Sequence, residues 1–259
     1  MKTITWARLR RIRQIVQILA FALYVYLLFA ALQRRAAFPL ADLFFRLDPL
    51  AALAAMLASR TWIPRLAVAL LTLGLTLLLG RVWCGWLCPL GTLLEWVRFP
   101  GAVLWAKTLS PRWRRVKNVV LLLILAAALL GNLSLLIFDP LALLTRTMTT
   151  VVIPLLNYAV TALEHALYSF SLLRPAVDWA ERLLRGPVLP VQQPVFDQNM
   201  FIALVFLVVL ALNAQADRFW CRYLCPLGAL LGLLSKVSLL RPVIGTACNR
   251  CAQCVGVCR

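Results

Sequence analysis

The sequence has 259 residues, of which 63% are hydrophobic and 14% are charged, and its mean hydropathy is +0.88. A soluble domain is nearer half apolar and a quarter charged, so this composition excludes an ordinary water-soluble enzyme and a disordered chain. The 27 Lys and Arg residues against 9 Asp and Glu residues give a net charge of +18. Such a charge suits nucleic acid or a membrane surface. Because the hydropathy argues against a nucleic-acid binder, we expect no nucleic-acid partner.

Four uncharged, apolar stretches are predicted to cross a membrane as helices. A helix needs about 20 mainly apolar residues to cross the hydrocarbon core. The stretches are residues 15–32, 66–80, 118–138 and 198–216, of which the second is only marginally long. The predicted fold class is therefore an all-α polytopic membrane protein with four transmembrane helices.

The basic residues predict the orientation of these helices. If the N-terminus is cytoplasmic, the inner segments are residues 1–14, 81–117 and 217–259, which hold 18 of the 27 Lys and Arg residues. The same segments hold only two of the nine acidic residues, Glu95 and Asp217. The positive-inside rule then predicts that both termini are cytoplasmic, and the excess charge is interpreted as a topological signal and a contact with anionic lipid.

The outer segments are predicted to contain further helices. Residues 49–59 and 147–163 are apolar but short or interrupted by Pro154, which suits helices that lie at the surface or enter the bilayer partway. Residues 164–185 have the pattern of a polar, amphipathic surface helix. His165 in this helix is the only histidine, and we expect an exposed residue rather than a metal ligand. A single histidine also argues against a haem with two histidine ligands.

One sixteen-residue unit occurs twice. Residues 81–96 and 218–233 are identical at ten of sixteen positions, and both contain W-C-x-x-L-C-P-L-G. An Asp-Pro-Leu sequence and an apolar stretch precede each copy. Because both copies would cross the membrane in the same direction, we predict a parallel internal repeat about an axis along the membrane normal. Asp48 and Asp139, which begin the Asp-Pro-Leu sequences, are interpreted as helix N-caps in preference to proton donors.

The proline after the second cysteine of each copy predicts a helix start. Proline disfavours helical geometry in the residue before it and suits the first position of a helix. Cys88 and Cys225 are therefore predicted to be N-caps of helices that begin at Pro89 and Pro226. The positive end of the helix dipole, together with nearby arginines, is expected to lower the pKa of such a thiol.

The pseudo-symmetry would allow the four cysteines of the repeat to converge, and three interpretations of them stay open. They are small apolar residues, a redox-active dithiol or disulfide pair, or the ligands of a shared second iron–sulfur centre, which needs four cysteines. Structural zinc is a weaker match because three residues rather than two separate the cysteines. The candidate ligands are Cys84, Cys88, Cys221 and Cys225.

The C-terminal cysteines have the spacing C-x2-C-x2-C-x3-C, which is the bacterial ferredoxin pattern for a [4Fe–4S] cluster. The predicted ligands are Cys248, Cys251, Cys254 and Cys258. Disulfides are disfavoured on the reducing cytoplasmic face. Such runs normally occur twice with proline after the fourth cysteine, whereas here Arg259 follows. We therefore expect a chain truncated before a second run, with a partner-supplied ligand or a lone cluster as alternatives.

These features divide the chain into three predicted segments. Residues 1–138 form a first membrane half with two spans, the first C-x-x-x-C-P motif and the third span. Residues 139–240 contain a periplasmic segment, the fourth span and the second motif. Residues 241–259 form a small, cytoplasmic, ferredoxin-like iron–sulfur segment.

The duplicated motif, the four apolar stretches and the C-terminal run resemble the membrane-bound ferredoxin-type proteins of bacteria. This superfamily includes the NapH-type quinol dehydrogenase subunit, the NosR-type regulators and the CcoG-type assembly proteins. The short N-terminus and the length look most like the NapH type, although that type carries two ferredoxin runs. The resemblance implies a multi-pass protein of the bacterial inner membrane that acts as an electron-transfer subunit. Electrons from membrane quinol would pass through iron–sulfur centres to a soluble or membrane redox partner, such as another ferredoxin-type subunit.

Two other functions fit the sequence. One is the reduction of metal ions or thiols during metalloenzyme assembly, as the CcoG-type branch implies, and the other is a redox-inert scaffold that holds structural metal. The aromatic residues beside the thiols either line a quinone pocket or belong to the membrane interface. They are Trp83, Trp86, Trp220 and Tyr223. Without a P-loop, a G-x-S-x-G elbow or a dinucleotide fingerprint, the sequence does not support ATPase, hydrolase or NAD-dependent chemistry.

Overall fold

A computed structural model describes residues 6–32, 42–97, 113, 115–170, 174–184 and 196–240. Within these ranges the chain is helical and contains no β-strand, so the all-α prediction is confirmed for them. The α-helices are α1 (Trp6–Leu32), α2 (Leu43–Arg46), α3 (Pro49–Ser59), α4 (Ala69–Leu79), α5 (Pro89–Trp96), α6 (Val116–Leu129), α7 (Pro140–Thr147), α8 (Ile153–Tyr168), α9 (Arg174–Leu184), α10 (Asn199–Leu212) and α11 (Pro226–Leu234). Short 3₁₀ segments occur at Pro64–Val68, Ser134–Phe138 and Ser235–Val237, and π turns at Trp83–Leu87, Met148–Val152 and Trp220–Leu224.

Two helical stretches in the described part of the chain are long and apolar enough to cross a membrane, namely Arg10–Leu32 and Pro140–Tyr168. The first contains the predicted stretch 15–32. The other three predicted stretches form shorter apolar helices of 10–17 residues, Pro64–Leu79, Val116–Leu129 and Asn199–Leu212. The predicted helix over 118–138 ends early because Gly131 adopts a φ of +79°, which stops the helix before the 3₁₀ segment.

The long stretch Pro140–Tyr168 contains Pro154 and is nevertheless continuous. A proline lacks an N–H and clashes with the carbonyl of the preceding turn. The π turn Met148–Val152 lies directly before it and widens the helix at this point. The hydroxyls of Thr147, Thr149 and Thr150 donate to main-chain carbonyls four residues earlier. The prediction that Pro154 interrupts this helix is therefore wrong.

Residues 164–185 do not form a single helix. Helix α8 ends at Tyr168 and α9 begins at Arg174. The Tyr168 hydroxyl donates a hydrogen bond to Asp178, which links the two helices. His165 is exposed on α8, as predicted.

Leucines from the repeated sequences form the centre of the core. Leu50 and Leu141 come from the two Asp-Pro-Leu sequences, Leu90 and Leu227 come from the two C-P-L-G sequences, and all four are 0% exposed. Burying one leucine side chain stabilises a fold by about 2 kcal/mol relative to leaving it in water. These four leucines, two from each half of the repeat, therefore hold the two halves together in one core.

Large apolar side chains point away from this core on four helices, α1, α4, α6 and α10. More than half of the surface is exposed for two such residues on each helix: Ile18 and Leu19, Leu70 and Leu71, Leu122 and Leu123, and Phe201 and Leu204. Soluble monomers rarely expose apolar surface over such an extent. These faces therefore require an apolar environment or a partner.

Glu95 near the end of α5 joins three distant parts of the chain. Its carboxylate forms ion pairs with Arg13 of α1 and with Arg218, which follows α10. Gln17 of α1 donates to the same carboxylate at 2.8 Å and to the carbonyl of Gly85 at 2.9 Å. The side chain of Glu95 is only 9% exposed. Arg13, Glu95 and Arg218 come from the three segments that the charge distribution predicts on one side of the membrane.

Burial raises the pKa of Glu95, but Arg218, Gln17 and Arg13 outweigh this effect and leave the pKa below its ordinary value of 4.5. A carboxyl with a lowered pKa contributes stability that is present above its unfolded pKa. That contribution is lost as the pH falls through the folded pKa.

We predict that Glu95→Gln lowers the free energy of unfolding by about 2 kcal/mol at neutral pH, because two partly buried guanidinium groups lose their counter-charge. Denaturant unfolding in detergent measures the difference, which should shrink only below pH 4.5. The control is Asp42→Asn, which removes an ion pair with Arg46 from a carboxylate that is 54% exposed. Its cost should stay below about 1 kcal/mol. Equal stability of Glu95→Gln and wild type at neutral pH would contradict the prediction.

Candidate iron–sulfur site

Two equivalent π turns carry the cysteines of the repeat. The first is Trp83–Leu87 and the second is Trp220–Leu224. Each is closed by an amide that donates to a carbonyl five residues earlier, Cys88 to Trp83 at 2.9 Å and Cys225 to Trp220 at 2.8 Å. Single π turns are rare in proteins as a whole. Those that do occur are often found at functional sites. The sequence pattern did not predict them.

The helices after these turns begin where the prolines predict. Cys88 and Cys225 have extended backbones and cap α5 and α11, whose first residues are Pro89 and Pro226. The Gly228 amide donates to Cys225 Sγ at 3.2 Å. The N-cap predictions for both cysteines are confirmed.

The glycine of each C-P-L-G sequence allows its helix to contact the preceding π turn. A methyl group at Gly91 would lie 3.0 Å from the carbonyl oxygen of Cys84, and one at Gly228 would lie 3.2 Å from that of Cys221. Both positions are also near the second thiol of the motif. A side chain there would push the helix away from the cysteines.

The four thiols of the repeat differ in burial and interact electrostatically with one another. Cys88 and Cys225 are 4% and 3% exposed, whereas Cys84 and Cys221 are half-buried, and all four are free. Cys84 interacts electrostatically with Cys221, and Cys88 and Cys225 each interact with both of them. Each half of the repeat therefore contributes one thiol pair to a set of four thiols that interact electrostatically.

Burial raises the pKa of all four thiols. Neighbouring arginines and the Gly228 amide act in the opposite direction, but their effect is smaller. The prediction that the helix N-termini lower these pKa values is wrong, because withdrawing a thiolate from water costs more than the dipole returns.

Two buried indole N–H groups beside the thiols have no hydrogen-bond acceptor in the described part of the chain. Trp83 and Trp220 immediately precede Cys84 and Cys221, and each is 4% exposed. An unpaired buried donor costs about 1–3 kcal/mol. The sulfurs of an iron–sulfur centre accept hydrogen bonds, so four thiols and two free donors fit such a group.

A single metal ion fits less well. Within the described ranges, no three His, Cys, Asp or Glu side chains lie close enough to hold one ion. Structural zinc needs four ligands around one centre, whereas an iron–sulfur cluster distributes its thiolates over several irons.

The aromatic residues of the motifs lie mainly inside the protein. Trp83, Trp220 and Tyr223 are buried and Trp86 is half-buried, so the membrane-interface interpretation is wrong for the three buried residues. The Trp83 ring lies 6.5 Å from that of Phe44. The Trp220 ring stacks on that of Phe138, with 6.2 Å between centroids, whereas the Trp83 and Phe44 rings are tilted by 54°.

Asp48 and Asp139 cap α3 and α7, as predicted. One carboxylate oxygen of each accepts hydrogen bonds of 2.9–3.3 Å from the second and third amides of its helix. Asp48 interacts electrostatically with Cys84, and Asp139 interacts electrostatically with Cys88. The chain before α3 enters the bundle, where the Thr72 hydroxyl donates to the Leu47 carbonyl at 2.7 Å.

The C-terminal run of Cys248, Cys251, Cys254 and Cys258 lies outside the described residues, and its cluster stays a prediction. The described chain ends at Leu240, whose amide donates to the Leu78 carbonyl at 3.1 Å. Leu239 makes the equivalent bond to Leu77 at 2.9 Å. The start of the C-terminal segment is thus attached to the end of α4, from which the chain continues into the first cysteine turn.

A family model described as a 4Fe-4S binding domain matches the sequence twice, over residues 61–112 and 196–246. Each match contains one C-x-x-x-C-P motif of the repeat. The duplicated unit is thus similar to iron–sulfur-binding proteins in both copies.

Three curated relatives carry related names. The methylamine utilization ferredoxin-type protein MauN of Methylorubrum extorquens is 26% identical over 98% of this chain and 74% of its own length. MauN of Paracoccus denitrificans is 27% identical over 75% of this chain, and the putative electron transport protein YccM of Escherichia coli is 29% identical over 71%. The chain spans 54% and 43% of these two proteins, about half their length. No solved structure matches. The similarities support a ferredoxin-type iron–sulfur protein.

We predict that Gly228→Ala lowers both the stability and the iron content of the protein, because the new methyl group overlaps the Cys221 carbonyl. Overpacking of this kind costs about 1–3 kcal/mol. The matched control is Gly74→Ala in α4, where nothing lies within 4 Å of the added carbon. Thermal unfolding and bound iron per chain measure both effects. If Gly228→Ala and Gly74→Ala behave alike, the close contact is not required.

Proposed function

We propose that the protein is a membrane-bound iron–sulfur electron carrier that takes electrons from membrane quinol and passes them to a redox partner. The observation that carries this proposal is the buried cluster of four thiols, to which each copy of the matched domain contributes two. An iron–sulfur centre supplies reversible electron transfer when it is bound. The names of the relatives, ferredoxin-type and electron transport, support the same function.

The apolar outer faces of α1, α4, α6 and α10 support a location in the membrane. The Glu95 cluster joins the three segments that are rich in basic residues, which supports a common cytoplasmic side for them. We therefore propose a multi-pass protein of the bacterial inner membrane with both termini in the cytoplasm and with lipid around the four helices. The shorter helices would require local thinning of the bilayer or flanking residues that reach the interface.

Eight cysteines are proposed as iron ligands in two groups. Cys84, Cys88, Cys221 and Cys225 would hold one centre inside the protein, and Trp83 and Trp220 would donate hydrogen bonds to its sulfurs. The second group would hold a [4Fe–4S] cluster in the C-terminal segment and consists of Cys248, Cys251, Cys254 and Cys258.

A cavity of about 190 Å³ between α1, α2 and α7 is the proposed site of the quinol head group. Its lining is mainly apolar, and the Tyr24 and Thr145 hydroxyls, 2.8 Å apart, provide polar groups. The Phe44 ring lies 5.5 Å from the Tyr24 ring and 6.5 Å from the Trp83 ring, between centroids. Aromatic side chains thus connect the cavity with the first cysteine turn.

The acceptor is proposed to be a soluble or membrane redox protein on the cytoplasmic side, such as another ferredoxin-type subunit. The attachment of Leu239 and Leu240 to the end of α4 brings the start of the C-terminal segment to the side of the first cysteine turn. Electrons from the thiol cluster would leave through this segment. The proposed role is that of an electron-transfer subunit of the quinol dehydrogenase type.

Iron counting after anaerobic purification tests the two centres. We expect that the double substitution Cys84→Ala/Cys221→Ala removes about four irons and their acid-labile sulfide from each chain, because one centre loses half of its ligands. The control substitutes the exposed His165 by Ala, which should leave the iron content unchanged. The same iron content in the double variant and wild type would remove the inner centre from the proposal.

Reduction by quinol distinguishes this function from reduction of metal ions or thiols. In lipid nanodiscs, a quinol is expected to bleach the iron–sulfur absorbance of the wild type, and Tyr24→Phe should slow this reaction about tenfold because one head-group hydrogen bond is lost. Tyr26→Phe, on the 57% exposed neighbour of the same helix, is the control. Bleaching by dithionite but never by quinol would refute the quinol donor and favour the assembly-reductase alternative.

A further inference from the structure

The carboxyl groups of Asp48 and Asp139 meet at the boundary between the two halves of the repeat. Both residues are 0% exposed, and one oxygen of each is used to cap a helix. The other oxygens, Asp48 Oδ2 and Asp139 Oδ1, are buried and have no donor among the described residues. The two side chains are hydrogen-bond neighbours of each other. The two buried oxygens that lack a donor therefore belong to neighbouring carboxyl groups.

Among the described residues, no ion pair balances two negative charges at this position. Of the ion pairs in the described ranges, none includes Asp48 or Asp139, and Arg46 near Asp48 is paired with Asp42 at 2.8 Å. The other titratable groups that interact with the pair are the thiols of Cys84 and Cys88, which carry no positive charge. Two carboxylates in hydrogen-bond contact inside a protein cannot both be ionised.

We propose that Asp48 and Asp139 form a proton-binding site in which one carboxylic acid donates an O–H···O hydrogen bond to one carboxylate across the repeat boundary. A single proton then satisfies both free oxygens, and hydrogen bonds of this charge-assisted kind are about twice as strong as neutral ones. The pair carries one negative charge beside the cysteine turns and connects α3 of the first half with α7 of the second.

Asparagine is a close mimic of this arrangement and provides the test. In Asp48→Asn, the amide oxygen can still cap α3, and the amide N–H can donate to the Asp139 carboxylate. The variant keeps the hydrogen bond and the single negative charge but has no carboxylic acid. Asp139→Asn is its mirror image, and the exposed Asp42→Asn is the control.

Infrared spectroscopy at neutral pH detects the carboxylic acid directly. We expect a carbonyl stretching band of a buried protonated carboxyl in the wild type and in Asp42→Asn, and its loss in Asp48→Asn and in Asp139→Asn. ¹³C labelling of aspartate should shift the band in the wild type, which tests the assignment even if a variant does not fold. The proposal is overturned if the wild type lacks the band, if ¹³C-aspartate leaves it unshifted, or if both single variants retain it.

The midpoint potential of the iron-loaded protein provides a second readout, which rests on the proposed function. Each single Asn variant keeps one charge and should leave the potential unchanged, whereas Asp48→Asn/Asp139→Asn removes it and should raise the potential. A rise in each single variant would mean that both side chains were ionised and would overturn the shared proton. Absence of iron would refute the proposed function instead, and the infrared result would still decide the present proposal.

Discussion

The close contact between each C-P-L-G helix and the π turn before it is the constraint on which the rest of the structure depends. Proline begins the helix and leucine enters the core, while glycine is needed because an added methyl group would lie only 3.0–3.2 Å from a carbonyl oxygen of the π turn. The second cysteine of each motif is consequently buried, and the first is half-buried. Burial keeps these thiols protonated, whereas a bound metal centre would favour their thiolates, because metal ligands must be deprotonated.

Local signals in the sequence predicted the starts of helices well. Asp48, Cys88, Asp139 and Cys225 cap helices at the expected positions, because a proline at the first residue and a capping group before it act within a few bonds. The lengths of the helices were not predictable in the same way. Pro154 lies inside a continuous helical stretch because the π turn before it accommodates the proline ring. This turn is accompanied by hydrogen bonds from neighbouring threonines, which the proline alone does not predict.

The sequence predicted which residues belong to the candidate site, but it did not predict their burial or their pKa values. The repeat identified the four inner cysteines, and in the structure their thiols interact electrostatically. Their pKa values were predicted in the wrong direction, because a helix dipole is a local effect whereas burial depends on the whole fold. The meeting of Asp48 and Asp139 was also missed. Both residues are 0% exposed, whereas the sequence indicated only that each caps a helix.

The ion pairs of Glu95 have a consequence for how the chain is made. Arg13 is synthesised before Glu95, and Arg218 is synthesised long after it. During translation the carboxylate can therefore be neutralised by the first arginine alone, while the second half of the protein is still on the ribosome. Arg218 then forms the second ion pair of Glu95 when the second half of the protein packs onto the first.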